Sequence, residues 1–342
     1  MTSRFNESLD ARSMSISSAD LDTQGVVNRQ SRHHPTFRVG ISEDKGARRT
    51  MEDAHSFVVD FDSVRGQGFF AVFDGHAGKH AAEWCGSHFH ECLLSCLHAS
   101  QMSTIPDILN ETFHKVDESL SHICEESDGK IHSGCTAVAA FLRVEDADGR
   151  QSFRMHIPTL PPSPTSLQDE KMDDSSSSTT RGDTIPHDLT IPPADSRRVL
   201  YTANAGDARG VLCRNGRAVR LTYDHKGSDK QEAKRIVDAG GFVMSGRVNG
   251  VLAVTRSLGD PSMKEFVVGA PYTTETKLCE HDEFLVLACD GLWDVISDQN
   301  AVELVRDISE AQEASEKLLQ YALAHHTTDN VTVLVVRFKH FE

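Results

Sequence analysis

Carboxylates recur in this 342-residue chain at one kind of place, the end of an apolar run beside a glycine. Asp74 closes Phe69-Phe-Ala-Val-Phe73 and precedes Gly75 and His76, and Asp290 closes Phe284-Leu-Val-Leu-Ala-Cys289 and precedes Gly291. Asp207 follows Ala203-Asn-Ala-Gly206, Asp260 follows Leu258-Gly259, and Asp329 precedes Asn330 and the last apolar run. Glu52 and Asp53 stand together ahead of His55. A single Asp-Gly is usually only a turn. A series of them at strand ends places each carboxylate on the rim of a rigid sheet, and several rims can converge. Gathered carboxylates repel one another and take up protons. A cation removes the conflict, and oxygen-only ligation favours Mg²⁺ or Mn²⁺ over zinc.

Most of the 18 histidines read as ordinary surface or core residues, and no H-E-x-x-H occurs. His76 differs, because it is fixed two residues behind Asp74, where an imidazole could give a proton to a leaving oxygen. Arg48 and Arg49 lie just ahead of Glu52. An Arg pair is commonly just solvated, but beside metal ions a guanidinium fork suits phosphate oxygens. The eight cysteines contain no C-x-x-C and read as reduced thiols of a cytosolic protein. No cysteine nucleophile is expected.

The elements that must position these groups alternate in type. Phe37–Ile41, His55–Phe61, Gly68–Asp74, Cys135–Leu142, Val199–Asn204, Arg209–Arg214, Phe284–Cys289 and Asn330–Phe338 read as strands. Helical spacing links Ala82, Cys85, Phe89, Cys92, Leu93 and Cys96, and again Ile105 through Ile123. Ser228 with Gln231 predicts a capped helix with Ala233, Ile236 and Val237 inward, ended by Gly240. Asp298 is expected to cap another, with Val302 and Val305 inward, and Leu318, Leu319, Ala322 and Leu323 mark the last. Paired helices and hairpin-like strands point to antiparallel sheets covered by helices, not to a doubly wound parallel sheet.

Two polar stretches flank or interrupt this pattern. Residues 1–35 are Ser-rich and aperiodic and read as a disordered tail. Residues 145–197 hold seven of the eleven prolines and the run Ser175–Thr180, which reads as a disordered Pro/Ser-rich insert between two strands. The rest, within 36–342, is long enough for a single core and reads as one domain. The longest apolar runs are about five residues, too short to span a bilayer. With 51 Asp+Glu against 35 Lys+Arg, the formal charge of −16 argues against nucleic acid or anionic membrane as partners.

Taken in order, the motifs carry a family resemblance. They are Arg48-Arg-Thr-Met-Glu-Asp-Ala-His55, Phe73-Asp-Gly-His-Ala-Gly78, Ser133-Gly-Cys-Thr-Ala137 and Asn204-Ala-Gly-Asp-Ala-Arg209. Asp224-His-Lys226, Arg247 through Asp260, Ala288-Cys-Asp-Gly-Leu-Trp-Asp-Val295 and Thr328-Asp-Asn-Val-Thr332 complete the set. The chain resembles the type 2C, metal-dependent (PPM) Ser/Thr protein phosphatases over about residues 37–338, the insert apart. Trp84-Cys-Gly86 and Leu221–Lys226 look most like small fungal members that oppose stress-activated MAP kinases.

The resemblance implies an α+β fold, a four-layer α-β-β-α sandwich with two antiparallel sheets face to face and helix pairs outside. It implies two Mg²⁺ or Mn²⁺ ions, with Asp74 bridging both, the Gly75 carbonyl on one, and Asp290 and Asp329 on the other. Glu52 and Asp53 would act directly or through water, Asp207 with Asp290 would hold a weaker third ion, and Asp260, less clearly placed, joins the metal set. Arg48 would bind the phosphate and His76 would serve as general acid. The activity implied is hydrolysis of phosphoserine and phosphothreonine in proteins by a metal-activated water, restraining MAP kinase signalling. MAP kinases or an adaptor would be partners of a monomer in cytoplasm and nucleus. Ala208 and Ala77 depart from the family's usual Ser and Gly. The competing readings are a pseudophosphatase binding module, which would have lost metal carboxylates, and another metallophosphoesterase, which would want a basic surface.

Overall fold

The computed structural model describes residues 36–100, 103–128, 130–156 and 189–338, and the backbone of 12–16. The strands in chain order are β1 (Arg12–Ile16), β2 (Phe37–Asp44), β3 (Ala54–Val59), β4 (Gly68–His76), β5 (Gly134–Glu145), β6 (Arg197–Ala205) and β7 (Arg209–Arg214). They continue with β8 (Arg217–Arg220), β9 (Val243–Met244), β10 (Arg247–Val248), β11 (Leu258–Gly259), β12 (Tyr272–Lys277), β13 (Asp282–Ala288) and β14 (Val331–Phe338). The helices are α1 (His80–Ala99), α2 (Ile105–Glu126), α3 (Lys230–Asp238), α4 (Asp290–Trp293), α5 (Asp298–Val305) and α6 (Ala311–Ala324).

One antiparallel sheet runs β1-β2-β14-β13-β7-β8, and the other runs β12-β6-β5-β4-β3 with β11 added beside β5. The continuous apolar runs follow from burial on both faces of each sheet. In β4, Phe69, Ala71 and Phe73 pack under α1 and α2, while Phe70 and Val72 meet the opposite sheet. In β13, Leu285 and Leu287 face the other sheet, and Phe284, Val286 and Ala288 face α5 and α6. Each fully buried Phe or Leu contributes about 1.5–3 kcal/mol by leaving water. The result is the expected four-layer α+β sandwich. Among the described residues no helix is long and apolar enough to cross a membrane.

Four details differ from the sequence reading. The N-cap of α3 is Asp229, whose side chain accepts from the amides of Gln231 and Glu232, rather than Ser228. Val237 on that helix is 58% exposed, because α3 covers only a small cluster around Ile236, Val248 and Val267. Ser297, not Asp298, caps α5, which frees the Asp298 carboxylate for Arg209 and Arg220. Within the expected N-terminal tail, Ser13–Ile16 alternate in polarity, and Arg12–Ile16 pair in register with β2, extending the sheet by one strand. The remainder of residues 1–35 lies outside the described residues.

The insert likewise starts and ends as ordered chain. Asp146 gathers the amides of Asp148, Arg150 and Ser152, Arg154 pairs with Asp62, and Gln151 bonds Gln67. On the return, the Thr190 amide donates to Ser63 O and its carbonyl accepts from the Arg65 amide. The expectation of disorder over all of 145–197 is corrected for these ends, which meet their polar groups on the 60–67 segment. Residues 157–188 lie outside the described residues.

Candidate active site

Strand ends from both sheets meet at one rim. Asp74 stands near the end of β4, Asp207 follows β6, Asp290 opens α4 after β13, Asp329 precedes β14, and Glu52 and Asp53 precede β3. One oxygen each of Asp74, Asp207 and Asp290 lies within 4.8 Å of the others. Gly75 lets the chain pass there, since a Cβ on it would lie 2.2 Å from Glu52 O.

Asp53 is buried. Its Oδ2 accepts from the Thr332 hydroxyl at 2.7 Å, and its Oδ1 has no partner. Burial pushes its carboxyl up to about 7, against the restraining hydrogen bonds of Thr332 and Cys289. Asp74 is raised well above the usual carboxylate range by burial first, then by the charges of Asp53, Asp290, Asp207 and Asp329. Burial, with Asp207 and Asp294, lifts Asp290 to about 8. Asp207 is raised by burial, with Lys226 opposing. The Lys226 ammonium lies 3.2 Å from Asp207 and 3.3 Å from Asp294.

An ammonium drawn onto these carboxylates, an orphaned buried carboxylate oxygen and an all-oxygen donor set fit a hard divalent cation. Glu52 is fixed at the edge of the group. Its Oε2 accepts from the Gly78 amide at 3.2 Å, and its Oε1 accepts from the Thr50 hydroxyl at 3.1 Å. Arg48 is exposed and donates to Asp329 Oδ2 at 2.6 Å and to Thr328 O at 3.3 Å. Asp329 is therefore tied to Arg48 and not to the triad of carboxylates, though its charge is felt there.

Asp260, expected among the metal residues, has a different neighbour in the structure. Its Oδ2 accepts from His76 Nε2 at 2.7 Å, and it is not part of the Asp74–Asp207–Asp290 group. The backbone leaves strand geometry after Gly259, which swings the carboxylate to the imidazole. Asn330 was given no role by sequence. Its side chain accepts from the Glu52 amide and donates to Lys45 O and Thr50 O, so it pins the loop that carries Arg48. Its place directly after Asp329 was the available signal. Ala77 sits at φ 56, a left-handed conformation in which glycine would be unstrained. Beside the rim opens a cleft of about 380 Å³, lined by Arg220, Tyr223, Lys226 and Asp229 among others.

Two face-packed antiparallel sheets with carboxylates converging at one rim define an α+β sandwich that carries a candidate divalent-cation site on its edge. The family "Protein phosphatase 2C" matches residues 37–148 and 165–331, and the chain belongs to it. The chain is 46% identical to Protein phosphatase 2C homolog 1 of Saccharomyces cerevisiae over 88% of its length and 93% of that protein's. It is 40% identical to Protein phosphatase 2C homolog 1 of Schizosaccharomyces pombe, over 92% of its length and 77% of that protein's. The fold is similar to the crystal structure of serine-threonine phosphatase 2C from Toxoplasma gondii, with TM-score 0.67 at 19% identity, covering 96% of this chain and 99% of that one. This chain is a protein serine/threonine phosphatase of a metal-dependent family.

Proposed function

We propose that the rim carboxylates hold two Mg²⁺ or Mn²⁺ ions and a weaker third, and that the chain hydrolyses phosphoserine and phosphothreonine with them by direct attack of water. The observation that carries this reading is the meeting of Asp74, Asp207 and Asp290 oxygens within 4.8 Å. Asp74, the Gly75 carbonyl, Asp290, Asp329, Glu52, Asp53 and Asp207 would form the donor set. Bound ions supply positive charge for the phosphoryl oxygens and a more acidic water. Arg48, exposed at the rim, receives the phosphate, its fork matching two oxygens. Thr332 and Asn330 keep Asp53 and the Glu52 loop in place while substrate enters. His76 gives its proton to the seryl or threonyl oxygen as the P–O bond breaks.

Manganese titration of phosphothreonine-peptide hydrolysis, with DNA as control substrate, tests this. Activity should rise from zero after EDTA treatment and DNA should stay intact. Metal-independent turnover would refute the reading. We further infer that its substrates include stress-activated MAP kinases or their adaptors, with the enzyme a monomer of cytoplasm and nucleus. The resemblance of Trp84–Gly86 and Leu221–Lys226 to small fungal members supports that. Faster dephosphorylation of an activated MAP kinase than of a generic phosphoprotein is the expected result.

A further inference from the structure

We propose that Asp260 is a positioning residue for His76, fixing the ring so that only Nδ1 is offered to the leaving oxygen. The inference rests on the reading of His76 as the acid. Three strands align to build the contact. Gly134 of β5 lies opposite His76 of β4 on one side and opposite Gly259 of β11 on the other. The Asp260 carboxylate crosses back over Gly134 to reach His76 Nε2 at 2.7 Å. A Cβ at Gly134 would stand 2.1 Å from Asp260 Oδ2, so glycine is required beneath the pair.

The carboxylate is held from several sides. Asp260 is 7% exposed and adopts φ 53 and ψ 49, a left-handed conformation that an Asp reaches more readily than most side chains. The Ser257 hydroxyl donates to the same Oδ2. The preceding Gly259 amide donates to Asp117 Oδ1, which also pairs with Lys264 at 2.7 Å. β11 is only two residues long: Leu258 is buried in the core against β5, and Gly259 brings Asp260 to the end of the pairing.

A carboxylate at 2.7 Å takes the hydrogen of Nε2 and leaves Nδ1 as the ring nitrogen turned to other partners. In the imidazolium, Nδ1–H is then the proton to give. It passes to the seryl or threonyl oxygen, which receives the P–O bonding pair. The water oxygen forms the new P–O bond, and its proton leaves to solvent. The ring ends neutral, with Nε2–H still on Asp260, and is reprotonated from solvent.

The test compares Asp260→Asn, His76→Ala and the double variant at saturating Mn²⁺. Substrates are a phosphothreonine peptide and aryl phosphates of graded leaving-group pKa. Asp260→Asn should lose about 10–10²-fold in kcat on the peptide and far less on para-nitrophenyl phosphate, with Mn²⁺ stoichiometry and Tm unchanged. The double variant should be no worse than His76→Ala. Equal loss on all substrates, or a loss additive to that of His76→Ala, would overturn the proposal. If His76→Ala itself loses equally on both substrate types, the acid reading fails first, and the two failures are thereby told apart. Should Asp260→Asn not fold, ¹⁵N-histidine spectra of the intact enzyme decide. A neutral His76 protonated on Nε2 supports the proposal, and one protonated on Nδ1 refutes it.

Discussion

Stripped of divalent ions, the protein should become less stable as pH rises, and Asp290→Asn should abolish much of that loss. Asp290 is pushed up to about 8 from an ordinary 3.8 by burial and by Asp207 and Asp294. Unfolding restores the ordinary value, so above pH 4 the unfolded chain releases a proton that the folded chain keeps. Stability from this group is full below about pH 4 and is lost progressively as pH climbs through about 8. At pH 7 the gap is about 3 pH units, worth about 4 kcal/mol at about 1.4 kcal/mol per unit. Asp290 is only half-buried and shares its repulsion with Asp74 and Asp207, so about 2 kcal/mol is the fair expectation. In EDTA at pH 7 the Asn variant should therefore melt roughly 4–8 °C higher than the parent, and the two should converge near pH 4. Urea unfolding at pH 4, 5, 6, 7 and 8 measures the slope directly. With excess Mn²⁺ the order should invert, because the parent binds the ion in the folded state alone. Parallel pH profiles for the two proteins in EDTA would refute the reasoning.

Other outcomes follow from the same geometry. Asp74→Asn should abolish phosphopeptide turnover while the fold survives, and near-normal activity at saturating Mn²⁺ would remove the bridging role. Arg48→Ala should raise KM for phosphopeptides by tenfold or more, about 1.4 kcal/mol, and should also loosen Asp329, read as weaker Mn²⁺ binding in calorimetry. Ala77→Gly should stabilise the protein by up to about 1 kcal/mol, since φ 56 costs alanine what glycine does not incur. Replacing 157–188 by a short Gly-Ser linker should leave Tm and para-nitrophenyl phosphate turnover unchanged, whereas replacing 146–196 should lower Tm by removing the Arg154–Asp62 and Thr190 contacts.

The sandwich was legible because its central strands are buried on both faces and so read as unbroken apolar runs. The carboxylates were legible because a strand end followed by glycine recurs at Asp74 and Asp290. What was hidden depends on pairings too short to leave a pattern. Two residues of β11 carry Asp260 to His76, and no periodicity exists over two residues. Asn330 acts through a distant loop, Lys45–Glu52, which only the closed sheet brings near. The exposed face of α3 was misread because helical spacing reports an apolar stripe without saying how wide a surface receives it.

The two ends of the insert dock on neighbouring residues, Arg154 on Asp62 and Thr190 on Ser63 and Arg65. They leave and rejoin the sheet at Glu145 and Arg197, paired in register at one end of β5, while Thr136 near the other end lies opposite Asp74. Nine residues of strand separate Glu145 from Thr136, about 30 Å. The molecule thus has a carboxylate rim at one pole and a splice port at the opposite pole. A guest domain with adjacent termini, such as a fluorescent reporter or a binding module, can be grafted at the port with its junctions already clamped. Cargo attached there starts about 30 Å from the carboxylate rim, so recruitment of the enzyme to new locations can be engineered separately from its chemistry.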